Sequence, residues 1–309
     1  MTSVNPDYFL TIVKEGTLTR AAQVLFVSQS SLSQYLKRLE SHLGIDLYEH
    51  GTSPLRLTYA GKRYYEHVLR VKQQEENLKR EFQDIQADLS GVIRLGVPLW
   101  RGATLLPKVF PPFHEKFPQI RLELEEGSAD QMIQAMNSNQ IDFCIMNLPH
   151  SLDYSRFVCR SLCAERFLVA MPENHPLVQE ALRNPRIAHG NPVIPFEVLE
   201  RIPLISTKAG MNSTIEANHL LGKNNIEPEQ LIATANLTTA INLVAEGMGY
   251  CFVPERGAAV CMRPGRVRYF EVDSPDHAWT LAVVHRRDVY LPRIAQLFID
   301  ELIQAYIEE

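Results

Sequence analysis

Six side chains between Gln29 and Arg38 have the types and the spacing to read a nucleic-acid duplex. Gln29, Ser30, Ser33, Gln34, Lys37 and Arg38 are all donors or acceptors of groove-reading length. On a helix they oppose Leu32, Leu36, Leu39 and Leu43, whose spacings of four, three and four make one apolar stripe. Amide and hydroxyl groups can pair with base edges, and the two cations suit phosphates. Gln34 is long enough to pair with adenine through both amide atoms. Ser28 stands where a helix N-cap is needed, with a hydroxyl that can accept from the N–H of Ser30 or Ser31. The leucine stripe by itself describes any amphipathic surface helix, so the surrounding run has to decide.

Such a helix must be held by others. Ala21 and Ala22 are small enough for a second helix to cross closely, and Phe26-Val27 reads as a short apolar turn. Together the residues from Tyr8 to Arg63 spell a winged helix-turn-helix with its core between Gly16 and Tyr48. That run closely resembles the DNA-binding domain of LysR-type transcriptional regulators. The resemblance is carried by Phe9, Gly16, Thr19 to Ala22, Val27 to Gln29, Leu32-Ser33, Leu39-Glu40, Leu43-Gly44, Leu47 to Glu49, Leu57-Thr58 and Ala60-Gly61. It implies double-stranded promoter DNA as a partner, with RNA polymerase beside it. In the wing after Leu47 the family usually has Arg where His50 stands and a basic residue near Ser53. This wing therefore keeps only Arg56 as a fixed cation. The DNA-contacting set implied by the resemblance is the six helix residues with His50 and Arg56.

Net charge over all 309 residues is −5, which on its face opposes nucleic acid. The charge is unevenly divided. Residues 1–65 hold seven Lys or Arg against five Asp or Glu, a net of +2, so the remaining 244 residues carry −7. A domain so weakly basic is expected to bind DNA as more than one copy, because phosphate contacts supply much of the affinity.

Thr58 reads as the cap of a long helix running to about Leu89, with no Gly or Pro after Gly61. Tyr64, Val68, Val71, Glu75, Leu78, Phe82, Ile85 and Leu89 step by four and three, and all but Glu75 are apolar. This is a heptad seam, and a single narrow seam suits pairing with another chain. The resemblance makes 58–90 a linker helix that pairs antiparallel with its twin, giving a dimer and beyond it a tetramer.

After Ser90-Gly91 short β runs alternate with helical patterns. Strands are expected at 92–97, 121–126 and 141–147, with helices at 105–117 and 128–139. A second unit runs from Phe167 to about Tyr269, and a strand at 279–285 and a helix at 291–307 follow. Such repetition implies a parallel sheet with helices on both faces. It resembles the family's α/β effector domain, two Rossmann-like lobes similar to periplasmic binding proteins. On that resemblance the organisation is an all-α winged helix-turn-helix over 1–63, the linker helix, and an effector domain over 91–309. Lobe one is about 92–162 with 269–309, and lobe two about 163–268.

Open α/β sheets bind ligands at strand C-terminal ends, often against helix N-termini. Trp100, Arg101, Ser128, Ser206, Thr207, Lys208, Asn236 and Thr238 lie at such ends. A small-molecule effector is expected between the lobes, with Trp100 on one wall and Thr207 and Thr238 on the other, and Ser128 as a further candidate. Arg101 and Ser206 are candidates beside them. Where family members often carry a small hydroxyl residue, this chain has Trp100, which shrinks the pocket or offers a stacking face. Another frequent hydroxyl position is Ala129.

A chain with 45% hydrophobic residues and no apolar run near the roughly 18 residues of a membrane span reads as soluble, and its start lacks a signal-peptide pattern. The five cysteines form no CxxC pair or metal-ligand spacing, which suits a reducing cytoplasm and neither metal nor cofactor. Cys144 and Cys251 sit in apolar strand runs. Cys159 and Cys163 are the one close pair, and peroxide-sensing members of the family use two effector-domain cysteines. An enzyme is the alternative class, but GxSxG, Walker A, GxGxxG and HExxH are all missing. A purely structural DNA-binding protein would leave the two lobes without a purpose.

Overall fold

The computed structural model describes residues 5–49, 54–85, 89–149, 151–272 and 278–307. The chain forms two compact units, divided between positions 86 and 87.

In the first unit α1 (Pro6–Glu15) begins under an Asn5 cap, and α2 (Leu18–Val24) begins under Thr17. The Ser28 hydroxyl accepts from the Ser31 N–H at 3.1 Å and starts α3 (Gln29–Leu43). Gly44, at φ 68°, ends it in the left-handed conformation that glycine adopts without strain. Phe9, Ile12, Ala21, Ala22, Leu32, Leu36 and Leu39 bury between these helices. Leu43, the last of the stripe, stays 40% exposed, because the end of α3 runs past this core.

Buried Glu40 fixes the way out of α3. Its Oε1 accepts from the N–H groups of Leu47 at 2.8 Å and Tyr48 at 3.2 Å. Tyr48 then pairs antiparallel with Leu57 as the base of the wing. Thr58 caps α4 (Tyr59–Ile85), its Oγ1 accepting from the Gly61 N–H at 3.0 Å. The helix crosses so closely that a Cβ on Gly61 would lie 2.0 Å from the Leu47 carbonyl oxygen.

α4 departs from the single partner-facing seam. Val68 is buried in the unit's own core, and the Tyr64 ring packs edge-on to Phe9 at 4.9 Å. A core this small needs the first turns of α4 to close it. Val71, Leu78 and Phe82 are exposed in the single chain at 36%, 48% and 54%. Ile85 ends the described helix, and its side chain lies outside the described residues. Leu89 does not continue the seam. It packs against the core of the second unit.

The second unit starts with β1 (Gly91–Val97), α5 (Leu99–Lys116), β2 (Ile120–Glu126), α6 (Ala129–Asn137) and β3 (Phe143–Asn147). β2 and β3 both pair parallel with β1. α5 begins six residues before the sequence suggests and continues through Pro107, Pro111 and Pro112. Each proline removes a donor, but burial of Leu105, Leu106, Val109 and Phe113 holds the helix to the sheet. β4 (Phe157–Pro172) is sixteen residues long and passes from one lobe into the other.

Lobe two is completed by α7 (Pro176–Ala181), β5 (Ile187–Ala188), β6 (Asn191–Ile194), α8 (Phe196–Leu199), β7 (Leu204–Thr207), α9 (Asn212–Lys223), β8 (Gln230–Thr234), α10 (Leu237–Ala245), β9 (Cys251–Pro254) and β10 (Val267–Val272). β11 (Ala278–Arg286) and α11 (Arg293–Ile307) return to lobe one. The sheet is mixed rather than parallel. β11 enters between β3 and β4 against both, and β9 and β10 run against β4. Lobe two also reaches further than 268, since Phe270 and Val272 are buried in its core. In lobe one Phe113, Phe143 and Phe298 pack on one side of the sheet, and Met132, Met136 and Cys144 form a separate cluster.

Candidate functional site

Two surfaces carry the chemistry. On α3, Gln29, Ser30, Gln34, Lys37 and Arg38 are exposed and Ser33 is half-buried. Lys37 and Ser33 sit on the same exposed side as Gln29 and Ser30, so the helix start presents amides and hydroxyls and its middle presents cations. Arg38 donates through Nη2 to Gln34 Oε1 at 3.2 Å. That bond orients the Gln34 amide and uses one of the two lone pairs on its oxygen, leaving the other and the amide NH2 for a base edge. Arg56 is exposed on the returning side of the wing, where its carbonyl accepts from the Glu49 N–H at 2.8 Å. His50 lies outside the described residues. Phe26, in the turn before α3, is 96% exposed with φ at 54°.

The second surface is a cleft of about 740 Å³ lined from both lobes. The ends of β1, β2, β3, β7 and β8 converge on it, each followed by a helix start or a loop. Trp100, Ser128 and Thr207 line it as the sequence suggests. Trp100 lies in the first turn of α5 yet packs against an apolar cluster of lobe two, with the Arg101 guanidinium 4.2 Å from its ring centre. The Ser128 hydroxyl is engaged as a cap, accepting from the Gln131 N–H at 3.3 Å. Thr207 Oγ1 shares hydrogen bonds with the hydroxyls of Ser213 and Thr214, each at 2.6 Å.

Three other candidates are not in the cleft. Arg101 is 1% exposed, and its Nη2 donates to Glu165 Oε2 at 2.6 Å and to Asn147 Oδ1 at 3.0 Å. Asn147 Nδ2 donates to the same Glu165 oxygen at 2.8 Å. One position after Trp100 on a helix is a turn of about 100°, which sends Arg101 behind the cleft wall. It becomes the centre of a buried triad joining α5, β3 and β4. Ser206 faces away because alternate strand residues face opposite sides, and its hydroxyl donates to the Ile232 carbonyl at 3.4 Å. Thr238 is displaced by Asn236, whose side chain caps the Thr238 N–H at 2.9 Å and itself lines the cleft.

The start of α9 is the part sequence reading missed. Met211, Asn212 and Ser213 line the lobe-two wall, and Asn212 Nδ2 donates across the cleft to the Asn147 carbonyl at 3.0 Å. The run Asn212-Ser213-Thr214 before Ala217, Leu220 and Leu221 is a helix-start signal. It was masked by Met211 at the N-cap, a residue that supplies no capping oxygen.

The cysteines divide as the sequence suggests in part. Cys144 and Cys251 are buried, and burial pushes both thiols up. Burial also raises the Cys159 thiol, while Arg256 Nη1 lies 3.2 Å from Cys163 Sγ. Among the described residues no cluster of His, Cys, Asp or Glu could hold a metal ion. None of the described helices is long and apolar enough to cross a membrane.

Comparison with known proteins follows the same division. Residues 7–62 match the profile of the bacterial regulatory helix-turn-helix protein, lysR family, and residues 86–306 that of the LysR substrate binding domain. The uncharacterized HTH-type transcriptional regulator YcgK of Bacillus subtilis is 25% identical over 303 residues, covering 95% of this chain and 91% of that protein. The HTH-type transcriptional regulator BenM of Acinetobacter baylyi is 27% identical over 248 residues, 80% of this chain and 78% of that protein. Among solved structures, a full-length OxyR variant from Pseudomonas aeruginosa superposes with a TM-score of 0.69 at 24% identity, over 98% of this chain and 94% of that one. Full-length CbnR complexed with its target DNA gives 0.65 at 17% identity, over 97% and 98%.

Proposed function

The chain belongs to the LysR family of bacterial transcriptional regulators, and on that premise we propose that α3 reads its operator and the cleft holds its effector. Gln29, Ser30 and Ser33 contact base edges, and Lys37, Arg38 and Arg56 contact phosphates. Gln34, oriented by Arg38, contacts a base edge through its NH2 and the remaining lone pair of its oxygen. His50 belongs to the wing by the family resemblance alone. The observation that carries the effector reading is the cleft itself, whose walls come from two lobes joined by β4. A ligand touching both walls binds open and closed lobes unequally, and only such a difference shifts an equilibrium.

Val71, Leu78 and Phe82 on the far half of α4 form the seam of a dimer with a second copy. Two copies double the phosphate contacts of a weakly basic domain. Assembly to a tetramer and contact with RNA polymerase at the promoter belong to the same reading, as do its place in the cytoplasm and the absence of enzymatic chemistry. The relatives named as transcriptional regulators support it.

The test is a selection of genomic fragments by the full-length protein, followed by titration of the recovered site with and without metabolite mixtures. A discrete, salt-sensitive site whose affinity responds to a metabolite supports the reading. Loss of that response in Ala209→Trp, which fills the cleft, assigns the response to the cleft.

A further inference from the structure

The cleft is not uniformly polar. Its two walls carry opposite charge. From lobe one come Glu126, at the end of β2, and Asp130, in the first turn of α6. From lobe two comes Lys208, just past β7. None of these three side chains has a hydrogen-bond or ion-pair partner among the described residues, in contrast to the Thr207, Ser128 and Asn147 side chains beside them. Asp130 reaches toward the opposite wall. Its Oδ2 lies 4.0 Å from a Cβ built on Gly210, in the loop that Lys208 begins. Asp130 and the loop that begins at Lys208 thus face each other across the cavity, and the two charges form no ion pair.

The start of α9 adds to the positive side. It opens at Asn212 with no side-chain cap, so its first amides and partial positive charge face the cleft beside Lys208. Apart from these charges and the engaged polar side chains, the lining is apolar and polarisable. Trp100, Met132 and Met146 come from lobe one, Met211 and Leu237 from lobe two, and Trp279 stacks on Phe167 with ring centres 4.5 Å apart.

These surroundings discriminate between ligand classes. A simple carboxylate entering the cleft would gain Lys208 but would face two unpaired carboxylates. A simple ammonium would gain the carboxylates but face Lys208 and an uncapped helix start. A molecule carrying both charges on adjacent carbons, with an apolar remainder, satisfies both walls at once.

We propose that the effector is a zwitterion with an apolar body, an α-amino acid whose ammonium meets Asp130 and Glu126 and whose carboxylate meets Lys208 and the first amides of α9. This rests on the cleft being the effector site. It also supplies the coupling, because the ammonium is held by one lobe and the carboxylate by the other, so the ligand draws the walls together. The rival arrangement is a direct Asp130–Lys208 ion pair that closes the lobes with no ligand.

The test is calorimetric titration of the full-length protein with L-leucine, L-methionine, L-phenylalanine and L-tryptophan. The probes 3-phenylpropionate and 2-phenylethylamine are the two halves of phenylalanine. At least one amino acid is expected to bind, with each half weaker by about tenfold or more, the size of one lost charge-assisted contact. Asp130→Asn should weaken the amino acid by a similar factor and strengthen 3-phenylpropionate, an inversion that a merely structural role for Asp130 does not produce. Lys208→Met should weaken both. Equal binding of 3-phenylpropionate and phenylalanine to the wild type overturns the proposal, as does failure of all four amino acids to bind. A simple acid that binds the wild type and not Ala209→Trp would then keep the cleft as the effector site. If the direct ion pair is the closure, Asp130→Asn loosens the lobes, seen in scattering, while no amino acid binds.

Discussion

The exposed face of α3 and the polar part of the cleft both gather side chains at helix starts and strand ends, yet these are left in opposite states. On α3 the exposed amides and cations make little engagement beyond the helix, and the Arg38–Gln34 bond lies within it. In the cleft the hydroxyls and amides are already engaged with one another, and what stays unpaired is charge. The difference follows from the partners. A duplex brings its own regular array of acceptors and donors, so the protein needs only side chains of suitable reach on a rigid helix. A small ligand brings few groups, so the protein must hold its own in place beforehand.

The largest effect expected is in the support behind the cleft. Arg101→Leu leaves the Glu165 carboxylate buried with only Asn147, and breaking such a pair costs about 3–5 kcal/mol. Urea unfolding should show this loss in the second unit. A variant of wild-type stability would mean that the triad does not hold β3, α5 and β4 together. The two halves of α4 sharpen the contrast within the first unit. Val68→Asp places a charge in the domain's core and should destabilise that unit by about 3 kcal/mol or more. Phe82→Asp should leave the fold intact and instead give a smaller particle in analytical ultracentrifugation, with weaker DNA binding. Equal particle size for Phe82→Asp and wild type would remove the dimer seam.

Effects on α3 itself are smaller. Gln29→Ala should relax preference at one base pair in each half-site, worth about 1–3 kcal/mol of discrimination. Lys37→Ala should weaken all sequences alike and lower the log–log salt slope by about one. If the two variants change the selected sequence in the same way, the division between base and phosphate contacts fails. Smallest is Phe26, whose left-handed backbone is strained for a bulky residue. Phe26→Asn should raise the stability of the first unit by up to about 1 kcal/mol, read from the urea midpoint.

What was legible in the sequence follows the range of the interactions. The helix-turn-helix depends on contacts within a few turns, so Ser28, Ala21 and the leucine stripe announced it. The seam on α4 was half legible, because periodicity shows an apolar face but not which neighbour covers it. Val68 and Tyr64 belong to the domain's core, and Leu89 to another unit altogether. In the cleft, strand ends identified Trp100, Ser128 and Thr207, but the side a residue takes is set by parity and turn angle. Ser206 is one strand position from Thr207, and Arg101 is one helical position from Trp100. Arg101 finds its partners 46 and 64 residues away, a pairing no local pattern contains. Lys208 stands out at a strand end, whereas Asp130 reads as an ordinary solvated charge, and only their placement on facing walls gives the two a joint meaning.

The most direct test of the account is sequencing of genomic DNA fragments retained by the full-length protein, compared with those retained by the double variant Gln29→Ala, Ser33→Ala. The wild type should enrich a short two-fold-related sequence, with binding that falls steeply as salt rises. The double variant should retain DNA with little sequence preference and a nearly unchanged salt slope. An unaltered sequence preference in the double variant would contradict the assignment of α3 as the reading element.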